Sequence, residues 1–416
     1  MKYNIKLPNT FTCSSLWPFV PLALWPLVFI AAIFMNSCVK PQIDDTTMNG
    51  QEIPWADSSN THPKHAEFEA LVRKYNAKGL PGISLLVHDN AGTWVGSAGK
   101  ADLKTDIPFL PGTVSKVASV TKFFMGVLMF KLFEDSIATG IGYNALHQPA
   151  STWIAADILK KIPNGMQVTL GQLMNHETGI PDIIEMDDFY LEVLNDPNKK
   201  WTASDLLEFV ENKDPVFKPG DTAIYSNTNT ILVSMIIEAV TKQPHSDVLK
   251  QRILEPLGLQ HTFYQPHDEL PSFVSQGYFD LYNNNTLVNV SNLVTGAGNG
   301  YGGIYSNLFD LQQLIESVLV KKTFLSEKSL SIMETYGKAD GSNKYGYGIM
   351  KKFIERGENF GIGHSGRDLG YTCNLFYFPA SGVTHVFLIN YGTDGDSGLK
   401  QVFLDFQEEL LNMTSK

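Results

Sequence analysis

The stretch from Ala118 to Glu134 constrains the fold more than any other part of the chain. It reads as a helix that is apolar nearly all round, and such a helix is stable only when protein surrounds it, so the chain must build a core about it. Into the first turn the sequence sets a hydroxyl, Ser119, and an amine, Lys122. Three residues apart on a helix, they share a face and lie within reach of each other. Two readings are open. Ser119 caps the helix while Lys122 snorkels its ammonium to water; or Ser119 is a nucleophile with its proton acceptor one turn away.

Spacing alone does not choose, because Ser-x-x-Lys is a cheap pattern. It recurs at Ser97-Ala98-Gly99-Lys100 and at Ser397-Gly398-Leu399-Lys400. The first follows Gly92-Thr93-Trp94-Val95-Gly96, which reads as a strand, where residues three apart point to opposite faces. The second opens a polar surface helix and reads as a cap. Only the Ser119 copy heads an apolar helix.

At the amino end Lys2 and Lys6 precede an apolar run, uninterrupted from Leu27 to Met35, with no acidic residue before Asp44. This is the order of a secretory signal. The run ends at Met35-Asn36-Ser37-Cys38, similar to a lipoprotein processing site, so residues 1–37 are expected to be a signal peptide and Cys38 the lipidated residue. An uncleaved anchor is the alternative, and either places the protein outside the cytoplasm on a bacterial membrane. Residues 38–62 are polar, with Pro41 and Pro54, and read as a flexible tether. Loss of residues 1–37 removes two lysines and no acid, taking the net charge from -11 to -13. An acidic chain without a basic run has no electrostatic footprint for nucleic acid. Cys13 falls in the signal and Cys38 at the cut, which leaves Cys373 alone in the folded part, where it reads as a buried strand residue.

Residues 63–416 then form the folded part. Phe68, Leu71, Val72 and Tyr75 recur at helical spacing. Ile83 to His88 and Thr93 to Val95 read as a hairpin across Asp89-Asn90-Ala91-Gly92. Strands return only at Tyr371 to Phe378 and Val383 to Tyr391, before a last helix from about Gly398 to Leu411. Helical patterns, including Leu206 to Val210, Thr230 to Thr241 and Leu308 to Val320, fill the interval. The expected fold is α/β (α+β): an antiparallel sheet built from both chain ends, about 63–115 and 340–416, flanked by helices, with an inserted mainly helical lobe, about 116–339. A cleft forms where two such lobes meet.

Two further polar clusters are placed to line that cleft. One is the loop Tyr225-Ser226-Asn227 ahead of the helix near Thr230; the other is Gly361-Ile362-Gly363-His364-Ser365-Gly366-Arg367, read as a strand edge beside a glycine turn. With Ser119-Val120-Thr121-Lys122, and in this order, they resemble the three motifs of the penicillin-recognising serine hydrolases, in the class C β-lactamase and D-alanyl-D-alanine carboxypeptidase (peptidase S12) branch. The likeness covers nearly all of residues 65–412. It includes Leu173-Met174-Asn175-His176-Glu177-Thr178-Gly179-Ile180 and Gly302-Gly303-Ile304-Tyr305-Ser306.

The resemblance implies a β-lactamase/transpeptidase-like fold and an acyl-enzyme on Ser119, with Lys122 and Tyr225 as the other catalytic groups. Which of those two takes the proton stays open; burial favours the neutral form of an amine. Asn227, His364, Ser365 and Gly366 are the expected substrate-binding residues. The oxyanion hole would be the backbone N–H groups of Ser119 and Arg367. His176 and Glu177 are taken as structural. No metal-ligand spacing is present, and no metal or cofactor is expected. The expected partner is a small-molecule or peptide substrate, with membrane attachment through the lipid; oligomeric state is unknown. The branch's β-lactamases mostly carry Lys-Thr-Gly where this chain has His364-Ser365-Gly366, and a neutral imidazole holds a substrate carboxylate less firmly than an ammonium. A D-amino-acid peptide, ester or related amide is therefore the leading substrate. A class C-type β-lactamase and a non-catalytic penicillin-binding sensor are the alternatives.

Overall fold

The computed structural model describes residues 59–415 apart from Asp394; the expected signal, Cys38 and most of the tether lie outside the described residues. The first helix, α1 (His65–Ala77), buries Phe68, Leu71, Val72 and Tyr75, the one face that its spacing dictates. The hairpin follows as β1 (Gly82–Asp89) and β2 (Gly92–Asp102), and the Asp89 carboxylate accepts from the Ala91 N–H at 2.7 Å to hold the turn. A short β3 (Ile107–Pro108) completes the amino-terminal strands.

The carboxyl-terminal part supplies the other strands of the main sheet. These are β4 (Ala339–Asp340), β5 (Asn343–Tyr345), β6 (Met350–Lys352), β7 (Gly361–Asp368), β8 (Tyr371–Phe378) and β9 (Val383–Ile389). They form one antiparallel sheet in the order β3-β2-β1-β9-β8-β7-β6-β5-β4. β1 pairs with β9 in the register Leu86↔Val386, so the two ends of the folded chain meet in the middle of the sheet as expected.

Alternation along these strands serves two layers. Ile83, Leu85, Val87, Phe387 and Ile389 pack with α1 and with Phe403, Phe406 and Leu410 of the last helix, α5 (Lys400–Thr414). Leu86, Val386 and Leu388 face the other way, into a larger core shared with the inserted helices. Both sheet faces are thus covered, which is why its central strands read as nearly continuous apolar runs.

At the centre of the larger core lies α2 (Thr121–Glu134), in which every residue but Lys131 and Glu134 is buried. Its 14 residues are too few to cross a bilayer, and their apolar surface is satisfied by protein. Each large side chain so buried contributes about 1.5–3 kcal/mol. α3 (Asn227–Thr241) and α4 (Leu308–Ile315) pack into the same core.

β7 is the element that the sequence reading takes for a strand edge and glycine turn. Glycines at 361, 363 and 366 dilute the apolar alternation that identifies a strand. Their reason is local: Gly363 has φ +152, and a Cβ there would sit 2.0 Å from the Leu375 carbonyl oxygen.

Candidate active site

Ser119 stands in a tight turn, Ala118–Val120, that leads into α2. Ala118 has φ +49, a left-handed conformation that costs a non-glycine residue about 1–3 kcal/mol and persists only where the surroundings enforce it. They do so here. Thr121 Oγ1 donates to the Ala118 carbonyl at 2.8 Å, and the Val117 N–H donates to the Ile304 carbonyl at 2.9 Å. The segment Ile304–Ser306 also pairs with Ser115–Lys116, and the Ile304 N–H donates to Thr121 Oγ1 at 3.3 Å, so this segment holds the turn from both sides.

Lys122 does not snorkel. It is 2 % exposed, and its Nζ lies 2.7 Å from Asn227 Oδ1, 2.7 Å from the Tyr301 carbonyl oxygen and 3.2 Å from Ser119 Oγ. Two of its three positions are therefore taken by carbonyl oxygens, which only accept. What remains faces the Ser119 hydroxyl: a hydrogen in the ammonium, the lone pair in the amine.

Tyr225 comes from the loop before α3, half-buried, with its ring centroid 4.9 Å from Lys122 Nζ. His176, 4.5 Å away between centroids, backs that ring, and Tyr345 lies 5.6 Å off. The Ser226 N–H points at His176 Nδ1, at 3.3 Å, so this nitrogen is an acceptor and the proton sits on Nε2. Burial, then the Lys122 charge, holds His176 well below the ordinary histidine range. Its part is to brace the Tyr225 loop, in keeping with a structural reading. Glu177 turns elsewhere and accepts from the Lys338 N–H at 3.2 Å.

β7 forms the facing wall. Ser365 and Arg367 line the cavity, and strand alternation sends His364 to the far side, where it lines a small separate void with Lys122 and His176. His364 Nδ1 lies 2.7 Å from the Ser365 carbonyl and donates to it; burial, then the Lys122 charge, pushes its pKa down to about 3. A Cβ at Gly366 would lie 2.0 Å from the Val117 carbonyl oxygen and 3.2 Å from the Ser119 nitrogen. Only glycine lets β7 come so close to the Ser119 turn, and this closeness is what an oxyanion hole shared by Ser119 and Arg367 requires. The Arg367 guanidinium donates to the Gly366 carbonyl at 2.7 Å and to Asn374 Oδ1 at 3.1 Å.

Two side chains that the sequence alone does not single out belong to the same cavity. Lys352, on the neighbouring β6, donates from Nζ to Ser365 Oγ at 3.2 Å, so an ammonium stands beside the third motif although the motif itself has none. Asp182 accepts from Asn227 Nδ2 at 2.9 and 3.2 Å through its two oxygens. Burial pushes its pKa up to about 6, against the backbone N–H groups of Asn227 and Ile184 and the charge of Lys122. Asp182 lies just beyond the Leu173 to Ile180 segment, and nothing in its neighbours marks it.

The cavity that these residues enclose measures about 360 Å³, with Ser119 at its floor, apolar Ile184 and Phe189 on one flank, and Asp182, Glu185, Lys352 and Arg367 as charged groups around it. Among the described residues, no three His, Cys, Asp or Glu side chains are grouped to hold a metal.

The family described as Beta-lactamase matches residues 68–406. A D-stereospecific amidohydrolase from Streptomyces sp. superimposes with a TM-score of 0.71 at 26% identity, over 82% of this chain and 98% of that one. The D-amino acid amidase from Ochrobactrum anthropi SV3 gives 0.71 at 22% identity, over 84% and 98%, a likeness of fold. Among curated proteins, Protein flp of Staphylococcus aureus (strain MRSA252) is 26% identical over 220 residues, 52% of this chain and 42% of that protein. The chain thus spans less than half the length of that relative.

Proposed function

Since the chain belongs to the Beta-lactamase family, we propose that it is a serine hydrolase in which Ser119 attacks an amide or ester carbonyl and is transiently acylated. Ser119 Oγ loses its proton to Lys122, with Tyr225 beside them to pass it on, and forms the bond to the carbonyl carbon. The oxyanion is met by the backbone N–H groups of Ser119 and Arg367, an arrangement in which one donor is worth about 10²–10³ in rate. The proton then goes to the leaving amine or alcohol as its bond breaks. Water repeats the sequence on the ester and releases the acid.

The observation that carries this reading is the disposition of Lys122, buried and held by two carbonyl oxygens so that its remaining position meets Ser119 Oγ at 3.2 Å. A capping serine and a solvated lysine have no use for that arrangement. The substrate we favour is an amide, ester or short peptide of a D-amino acid. The likeness to a D-stereospecific amidohydrolase over almost its whole length supports it. A second reading, β-lactam hydrolysis, has one observation in its favour: Lys352 at Ser365 supplies the cation that a β-lactam carboxylate needs.

Labelling with a fluorescent fluorophosphonate tests the nucleophile. Ser119→Ala should abolish it while the melting temperature stays within a few degrees, and labelling that persists would show another nucleophile. Parallel turnover of D-amino acid amides and of nitrocefin then separates the two substrate readings.

A further inference from the structure

We propose that Asp182 is a positioning residue of this site: its carboxylate keeps the Asn227 amide in one orientation and thereby keeps the head of Lys122 turned to Ser119. The inference rests on reading Ser119 as the nucleophile and goes beyond it, because no motif contains Asp182.

Asn227 Oδ1 accepts from Lys122 Nζ at 2.7 Å, and Asn227 Nδ2 donates to both Asp182 oxygens at 2.9 and 3.2 Å. Oxygen and nitrogen of an asparagine are nearly the same size, so packing alone does not prevent the opposite orientation. While Lys122 is an ammonium the flip is forbidden, since it would set donor against donor. Once Lys122 is a neutral amine the protection from that side disappears. A flipped Asn227 would then donate into the lone pair that Ser119 needs, and the base would be spent on its own neighbour. An ionised carboxylate behind the amide closes this route, because it offers acceptors alone and a flipped Oδ1 would face them directly. Asp182 therefore protects the state of Lys122 that does the chemistry.

The lock fails when Asp182 takes up a proton, for its hydroxyl then donates to a flipped Oδ1. The groups that face it are Lys122, Glu185 and the Tyr301 phenol, with N–H groups of Asn227 and Ile184 on its oxygens. Burial sets its pKa at about 6, whereas His364 is pushed to about 3 and His176 lies well below the ordinary range. An acid limb near pH 6, which habit would give to the histidine of the third motif, thus belongs to Asp182. Activity falls as pH falls through that point.

The test is the pH profile of p-nitrophenyl acetate turnover by the purified protein, with Asp182→Asn and Asp182→Glu. D182N offers both a donor and an acceptor and frees the flip. It should lower kcat about tenfold to hundredfold, a part of the 10²–10⁴ that positioned proton transfer contributes, with KM within about twofold and the limb near pH 6 gone. D182E should regain much of the rate and keep a limb. Unchanged kcat in D182N, or a lowered kcat with the limb intact, overturns the proposal. Should D182N not fold, His364→Asn decides: the limb stays if Asp182 owns it, and a limb that vanishes assigns it to the histidine. Turnover that survives in Ser119→Ala instead removes the underlying reading, whatever D182N does.

Discussion

Behind Ser119, in the void separate from the main cavity, Lys122 is almost wholly enclosed, and its nitrogen meets three oxygens within 3.2 Å; in the main cavity Lys352 is half-buried and reaches the Ser365 hydroxyl from a strand three residues long. Both are lysines of one proposed site, yet their surroundings suit them to different work. The enclosed one has a fixed direction, which proton transfer needs and which a solvated side chain does not keep. The outer one is half-buried and holds the Ser365 hydroxyl in the cavity wall, a place that suits an ammonium for the capture of an anion arriving from water. On the proposed reading, chemistry sits at the enclosed lysine and anion selection at the half-buried one.

Replacing each lysine by an isosteric apolar residue breaks that contrast if it is mistaken. Lys122→Met should lower kcat by about 10²–10⁴, the range for a lost general base. It should also destabilise the fold, because Asn227 Oδ1 and the Tyr301 carbonyl lose their buried donor at about 1–3 kcal/mol each. Single-turnover labelling and urea unfolding read the two effects separately. If K122M acylates at the native rate, the enclosed lysine is only structural.

Lys352→Met should act more weakly and in a different parameter. For a substrate with a carboxylate in its leaving group KM should rise about tenfold, one charge-assisted hydrogen bond, while kcat stays within about twofold. For a neutral ester neither should move. An equal loss on both substrates would put Lys352 among the groups that hold the fold.

The same contrast separates what is legible in the amino-acid sequence from what is not. Ser119 and Lys122 stand out because two polar residues open a helix that is otherwise apolar, a local contradiction. Tyr225 and Asn227 need the order of all three motifs. The meeting of β1 with β9 is legible from two apolar runs at opposite ends. Asp182 and Lys352 are not, for their meaning lies in a partner far along the chain or across a strand pair. Asn227 is 45 residues from Asp182, and Lys352 gains its place from the register Met350↔Gly363, which no periodicity announces. β7 itself is concealed by the glycines that let it approach Ser119. Strand alternation turns His364 away from Ser365 and Arg367, and the ammonium beside the third motif comes from Lys352 on β6.

The smallest effect is one of stability, in which the buried histidines and Asp182 should answer acid with opposite signs. His364 and His385 are buried neutral, with burial pushing each to about 3. The unfolded chain binds their protons below about pH 6.5, so folding stability is full above that pH and is lost as pH falls toward 3, at about 1.4 kcal/mol per pH unit for each histidine. Asp182 runs the other way. Raised to about 6 by burial, it binds its proton in the folded state first, so acidification from about 6 toward 4 favours the fold. Stability measured by urea unfolding between pH 4.5 and 6.5 should therefore fall with acid, less steeply in His364→Asn and more steeply in Asp182→Asn. Slopes that shift in the same direction for both variants would mean that burial does not hold the Asp182 carboxyl above its ordinary range, and the lock on Asn227 would lose its physical ground.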